Sequence, residues 1–521
     1  MTQQRRPPMP KLPPFALSAE EPRKQRWYYL AIFFLLFAVP LLLVHWPLLS
    51  LPYFWDEHGQ FIPTALDLLR DGTWIAHSTV PNVHPPGVEA YLVFWYKLFG
   101  YSISITRFAM LMLAGAGLLA TFLVAIELCR GANGAPALLP PILLLASPLF
   151  YMQSMMAQLD MPAMVFTMLA LYLFLRERYA YAAAVSVVLV MTKETGIVVP
   201  LVFFVWLAAR KDYRRAAYYI APAAALGAWL IMLHRATGYW LGNPGFAHYN
   251  VNYSLHPVRL ALSFVRRIYY LFFAEFRWVG TLVLAVTIRR TNILKSAGWR
   301  IALAVSAANV VLVSVLGGAE LERYLLPVLP IFYIAVSVGM TYLRRWSGRI
   351  AAAALLAGLS VSLFWNPPYP FPYENNFAMV DFVQLEELAA HYLQRFLPDK
   401  TTATAWPYTS GLANPDFGFV RRKQKVVETN DFHESSIRAL SPASFTVLIT
   451  YTRTWAPQNG LIQIPLVRKF LSDFYQWGPE ITTEQCIRLG LFPVMAWETH
   501  GQRVTIYLRE PPHGDTMQIA F

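Results

Sequence analysis

Cysteine is almost missing from this chain: 521 residues hold two, Cys129 and Cys486. The topology read below places them on opposite faces of a membrane, so no disulfide framework is expected. Charge is scarce as well. Charged residues make up 14% of the sequence, against about 25% in a soluble domain, which excludes an ordinary water-soluble globule. Acidic residues are the rarer sign, 30 against 43 basic, for a net charge of +13. The basic residues cluster between apolar runs, a pattern that membrane orientation explains better than nucleic-acid binding does. Signatures of soluble enzymes are lacking too: there is no GxGxxG, P-loop, HExxH or CxxC. Without a nucleotide cradle, a nucleotide-linked substrate is disfavoured.

What the chain has instead is apolar length. Hydrophobic residues reach 56% and aromatics 15%, including 16 Trp and 28 Tyr, the residues that favour lipid headgroups. A spanning helix needs about 20 mostly apolar residues. Runs near 27–49, 103–129, 136–152, 158–175, 179–193, 195–209, 216–235, 268–288, 301–317, 325–343 and 349–365 qualify, about eleven in all. The pair 179–193 and 195–209 is short, as expected of a tight hairpin of short helices or a re-entrant element. Basic turns at Arg130, at Arg176 and Arg178, at 210–215, at 289–300 and at 344–349 are alternate connections, which places them and the basic tail 1–26 in the cytoplasm. That tail, followed by a full-length apolar run and no small-residue cleavage site, reads as an anchor and not a removed signal.

The remaining connections carry the groups suited to chemistry. In the first outer loop, about 50–102, Asp56 and Glu57 follow the opening anchor, and His84-Pro85-Pro86-Gly87 precedes the next span. Segments 61–69 and 88–99 have helical apolar spacing, and the Pro-Pro-Gly break keeps them apart. Asp160 opens a later span ahead of Met161-Pro162, where it serves equally as an N-cap or as a site carboxylate. Lys193-Glu194 joins the two short spans, and Arg323-Tyr324 opens a late one. Arg266 and Arg267 break the positive-inside pattern on the outer side. A carboxylate at an apolar edge can take a proton from a hydroxyl, and arginine grips phosphate with two parallel bonds. After Trp365 a proline-rich exit leads to an amphipathic helix at 381–396, strand-like runs at 401–406, 445–451 and 504–508, and a helix at 466–475. The expected organisation is a cytoplasmic tail (1–26), a polytopic α-helical membrane part (27–365) and a small extracytoplasmic α/β domain (366–521).

The carboxylate pair in the first outer loop, the PPG segment, the Asp opening a later span, the Lys-Glu turn and the Arg-Tyr-Leu-Leu-Pro start of a late span resemble the GT-C superfamily of glycosyltransferases. Over residues 27–345 they are similar to family 39, the protein O-mannosyltransferases and aminoarabinose transferases. The resemblance implies a GT-C fold in a bacterial plasma membrane. It also implies sugar transfer from a polyprenyl-phosphate donor to a hydroxyl on a glycan, lipid or protein at the outer face. Asp56 then matches the main catalytic Asp, with Glu57 beside it, and Asp160 matches the second outer-loop Asp. Arg323 and Tyr324 match the span start that faces the donor phosphate, and His84 stands where aminoarabinose transferases carry a lysine. Lys193 and Arg266 supply further positive charge for that phosphate. Displacement with one base and no covalent step inverts the anomeric centre. No cofactor is assigned. A divalent cation stays open, with Asp56, Glu57, Asp160 and His84 as its ligand set. The competing function is a transporter or flippase for a lipid-linked sugar, which predicts repeated halves and mid-span ionisable residues. A scaffold whose outer domain binds a partner is a third reading.

Overall fold

The computed structural model describes residues 23–129, 136–290, 293–316, 318–509 and 518–520. The basic tail as far as residue 22 and the turn at Arg130 lie outside the described residues. Among the described residues, four helices are long and apolar enough to cross a membrane: Tyr28–Leu48, Ile103–Cys129, Tyr213–Thr237 and Ala297–Val315. Their environments differ. Only 22% of the first is buried, so most of its surface is left for lipid, whereas 67% of Ile103–Cys129 is buried. The first helix packs against the second where Gly115 lies under Ala38; a Cβ there would come within 2.9 Å of the Ala38 Cβ. Four shorter apolar helices, Asp160–Leu175, Tyr179–Thr192, Glu194–Ala209 and Leu329–Met340, run among the long ones. The pair around Lys193 is two short helices, Tyr179–Thr192 and Val198–Ala209, joined by the turn Glu194–Ile197. Length and composition alone do not establish the expected eleven spans.

Two expected spans are not single continuous helices. The run 136–152 breaks into Leu139–Ala146 and Pro148–Gln153, with Ser147 extended at ψ 123°. The residue before a proline disfavours the helical region, and Pro148 enforces the break. The run 268–288 is a corner. Pro257–Phe272 and Arg277–Arg289 meet at 86°, through Glu275 and Phe276 at φ 51° and 61°. Arg277 is fully buried at the corner, bound to Glu275 at 2.7 Å and to the Tyr270 carbonyl at 2.9 Å. A window of mean hydropathy passes straight through such a turn and cannot detect it.

The C-terminal region forms a six-stranded mixed sheet: β1 (Thr402–Ala405), β2 (Val426–Thr429), β3 (Val447–Tyr451), β4 (Phe492–Thr499), β5 (Gln502–Leu508) and β6 (Gln518–Ala520), in the order β2-β1-β3-β5-β4-β6. β1 pairs in parallel with β2 and β3, while β5 runs antiparallel to β3 and β4. The amphipathic helix Ala378–Phe396 lays its apolar side (Phe382, Val383, Ala389, Leu393) into this core. Phe54 of the first outer loop stacks edge-on against Phe382 at 5.5 Å, so sheet region and membrane helices share one apolar cluster. This junction matters for the site. Trp406 and Arg453 follow the carboxyl ends of the parallel strands β1 and β3, and both face the cavity described next. The two cysteines are free and buried.

Candidate active site

A cavity of about 870 Å³ opens between the first outer loop, the ends of the apolar helices and the C-terminal region. Its charged wall is assembled from short, irregular turns. Trp55 takes a left-handed conformation (φ 38°), which sets Asp56 ahead of a π-turn at Glu57–Phe61 and the helix Ile62–Asp71. Such strain on a bulky residue persists only where the surroundings enforce it, and it concentrates at functional sites. Asp160 is the first residue of its helix. Leu159 holds the N-cap position, which removes the N-cap reading of Asp160. Lys193 is extended at the end of Tyr179–Thr192. Arg323 sits on a 3-10 turn, Glu322–Leu325, and Glu374 on another, Tyr373–Asn375.

Arg323 joins these turns. Its terminal nitrogens donate to Asp56 Oδ2 at 2.5 Å, to Glu374 Oε2 at 2.7 Å and to Gln158 Oε1 at 2.8 Å. Its Nε lies 3.1 Å from Asp160 Oδ2. Lys193 forms an ion pair with the other oxygen of Asp160 and stands 4.4 Å from the centre of the Tyr324 ring. His84 Nδ1 bonds Glu194 Oε2 at 2.9 Å across the cavity wall. Asp56, His84, Asp160, Lys193, Arg323 and Tyr324 therefore all line one void. Three of them are nearly buried, Asp160 at 3% exposure, Arg323 at 5% and Lys193 at 7%, and the other three are half-buried.

Glu57 and Arg266 do not join them, which corrects two assignments made from the sequence. Glu57 is wholly buried behind the wall. One of its oxygens accepts from Arg107 at 2.5 Å and from the Ala157 amide at 2.6 Å, and the other from the Phe54 amide at 2.9 Å. Glu57 is not part of the cavity lining, and these bonds fix the loop that carries Asp56. Arg266 is clamped by Glu322, with Nε and a terminal nitrogen at 2.7 and 2.6 Å from one oxygen, and it lies outside the cavity lining.

Glu374 was not anticipated. It is 3% exposed, it lines the cavity, and its Oε1 has no partner. Burial pushes its carboxyl up to about 7; the Arg323 guanidinium pulls it down, while Asp56 and Asp160 add further upward pressure. Its sequence context, a proline-rich exit, gives no periodic signal. Only the apolar neighbourhood of a lone acid could have drawn attention to it.

A metal set is not assembled here. Arg323 occupies the space between the cavity carboxylates Asp56, Asp160 and Glu374 and pairs with each of them. Among the described residues, the one group with metal-ligand spacing is Asp67, Asp71 and His77, away from the cavity. There Asp67 Oδ2 closes a turn by accepting from the His77 amide and from Ser78.

No family model matches the chain, and no curated protein matches it in sequence. Its fold does match. ArnT from Cupriavidus metallidurans bound to undecaprenyl phosphate aligns with a TM-score of 0.52 at 15% identity, over 93% of this chain and 99% of that one. The apo state of the same protein gives 0.52 at 14% identity, over 94% and 100%. The Archaeoglobus fulgidus oligosaccharyltransferase, tethered to an acceptor peptide, aligns with a TM-score of 0.50 at 9% identity over 82% of this chain and 69% of that one. The chain shares its fold with these proteins.

Proposed function

We propose that this protein is an inverting glycosyltransferase that moves a sugar from a polyprenyl-phosphate donor to a hydroxyl on a glycan, lipid or protein. The observation that carries the reading is the meeting of Asp56 and Arg323 on one enclosed wall, 2.5 Å apart, from positions 267 residues apart in sequence. The fold it shares with ArnT, a structure bound to undecaprenyl phosphate, supports the donor class. The helical part (27–365) holds the site, and the α/β part (366–521) closes it. The cavity faces the extracytoplasmic side of a bacterial plasma membrane, with the N-terminus in the cytoplasm.

The chemistry needs a base and a place for negative charge. Asp56 accepts the proton of the attacking hydroxyl as its oxygen bonds to the anomeric carbon. The bond from that carbon to the phosphate oxygen breaks, and its electron pair leaves with the polyprenyl phosphate. Arg323 and Lys193 offset the growing charge on that phosphate, with Tyr324 beneath Lys193 and His84 at the rim. A single displacement inverts the anomeric centre. Asp160 aligns the cations: one of its oxygens holds Lys193 and the other faces Arg323. Glu374, neutral up to about pH 7, lowers the negative charge that an arriving phosphate must meet.

The charges sit at helix ends and turns, which favours transfer over transport through the membrane. Native mass spectrometry of the purified chain with undecaprenyl phosphate tests the donor class. The expected result is a one-to-one complex that Arg323→Ala weakens; equal retention by both proteins would overturn the assignment.

A further inference from the structure

On the helix Pro257–Phe272 the protein-facing side buries Arg259, Ser263 and Arg267, at 3%, 4% and 0% exposure, along with Tyr270 and Leu271, while Val265 (61%), Phe264 (44%) and Tyr269 (43%) face outward. It also lies at 86° to Arg277–Arg289. If the second helix runs along the membrane normal, the first lies in the membrane plane, and its outward apolar side is what the headgroup boundary solvates.

A second amphipathic helix runs beside it, and it comes from the C-terminal region. Pro465–Tyr475 buries none of its residues. Its apolar positions gather on one side, with Arg468, Lys469, Ser472 and Asp473 on the other. Two tethers fix it alongside Pro257–Phe272. At one end, the Leu461 amide donates to the Pro368 carbonyl at 2.8 Å, and the neighbouring Tyr369 meets Tyr269 hydroxyl to hydroxyl at 3.3 Å. At the other, Arg259 donates to the Phe474 carbonyl at 3.0 Å and stacks between the Tyr253 and Tyr475 rings. The segment thus lies along the partner helix from Tyr269 back to Arg259. It leaves Leu461, Ile464 and Leu466 exposed at 51%, 47% and 76%.

We infer that the segment from Leu461 to Tyr475 is a membrane-surface anchor. It seats the C-terminal region on the lipid beside Pro257–Phe272, with Leu461, Ile464 and Leu466 in the headgroup boundary. Two observations select lipid as the occupant. The exposed Leu461, Ile464 and Leu466 belong to a segment tethered along a helix whose own Phe264, Val265 and Tyr269 are exposed, and Arg468 and Lys469, exposed and next in sequence, suit anionic headgroups. The consequence is mechanical. β1 and β3 carry Trp406 and Arg453 over the cavity, and an anchor on the same region holds that roof at a fixed height above the bilayer.

The test reads position and does not depend on sugar transfer, so it stands or falls apart from the proposed function. The full chain carrying Leu466→Cys, labelled with an environment-sensitive fluorophore, is placed in nanodiscs of phosphatidylcholine and phosphatidylglycerol. Ser472→Cys is the control on the polar side; the native cysteines are buried. The label at 466 should be quenched severalfold more by lipids spin-labelled near the headgroup than by aqueous iodide, and the label at 472 should show the reverse. Equal iodide access at both positions would overturn the anchor. Protection at 466 that appears only with two chains per disc would assign the face to a second copy and overturn it as well.

Discussion

Asp56 and Glu57 are neighbours with opposite fates. Each meets an arginine at 2.5 Å, Arg323 in one case and Arg107 in the other. Glu57 is wholly buried, held by the Arg107 side chain and the Phe54 and Ala157 amides, and it lies outside the cavity lining. Around Asp56 the arginine is divided among Asp56, Glu374 and Asp160, and a cavity opens beside it. The same pair of residue types therefore builds a structural post in one place and a chargeable wall in the other. What separates them is how completely the partners are satisfied, not the residues themselves.

The comparison breaks most sharply at Asp56. Asp56→Asn keeps the shape and removes the base, so transfer should fall about 100- to 10,000-fold with the thermal midpoint nearly unchanged; a turnover assay and a melting curve on the same preparation check this. Glu57→Ala should do the opposite. Stranding Arg107 without its buried partner costs about 3–5 kcal/mol, read as a large loss of midpoint and yield, while what stays folded still binds donor. Next in size is Arg323→Lys. The lysine keeps the charge but loses the fork that reaches three carboxylates, and donor affinity should drop roughly tenfold or more.

The smallest effect belongs to Glu374. Its folded value is raised from 4.5 to about 7, so the folded chain holds a proton that the unfolded chain releases earlier. That contribution is fully present below pH 4.5 and is lost as pH rises through 7, amounting to roughly 1–3 kcal/mol. Melting at pH 5 and pH 8 should therefore differ less in Glu374→Gln than in the parent chain.

Much of the cavity is legible in the sequence because charge stands out against apolar surroundings. Asp160, Lys193 and Arg323 are visible as isolated ionisable residues at the ends of apolar runs. Glu57 misleads because adjacency in sequence says nothing of direction: a left-handed Trp55 and a π-turn send two consecutive side chains to different sides. Arg107 hides within the run 103–129, where apolar length outweighs one charge. Helix periodicity places the amphipathic helix at 378–396 within a few residues of its bounds. The strands at 426–429 and 492–499 escape notice, the first being four residues long and the second carrying Pro493 at a register shift.

The central claim is that Asp56 and Arg323 together carry out sugar transfer at the membrane. The most direct measurement is mass spectrometry of envelope glycans, lipids and proteins from cells with this chain, without it, and with Asp56→Asn at matched membrane abundance. The account predicts a sugar-sized mass increment on one acceptor in the first sample and its loss in the other two. The same increment persisting with Asp56→Asn would contradict it.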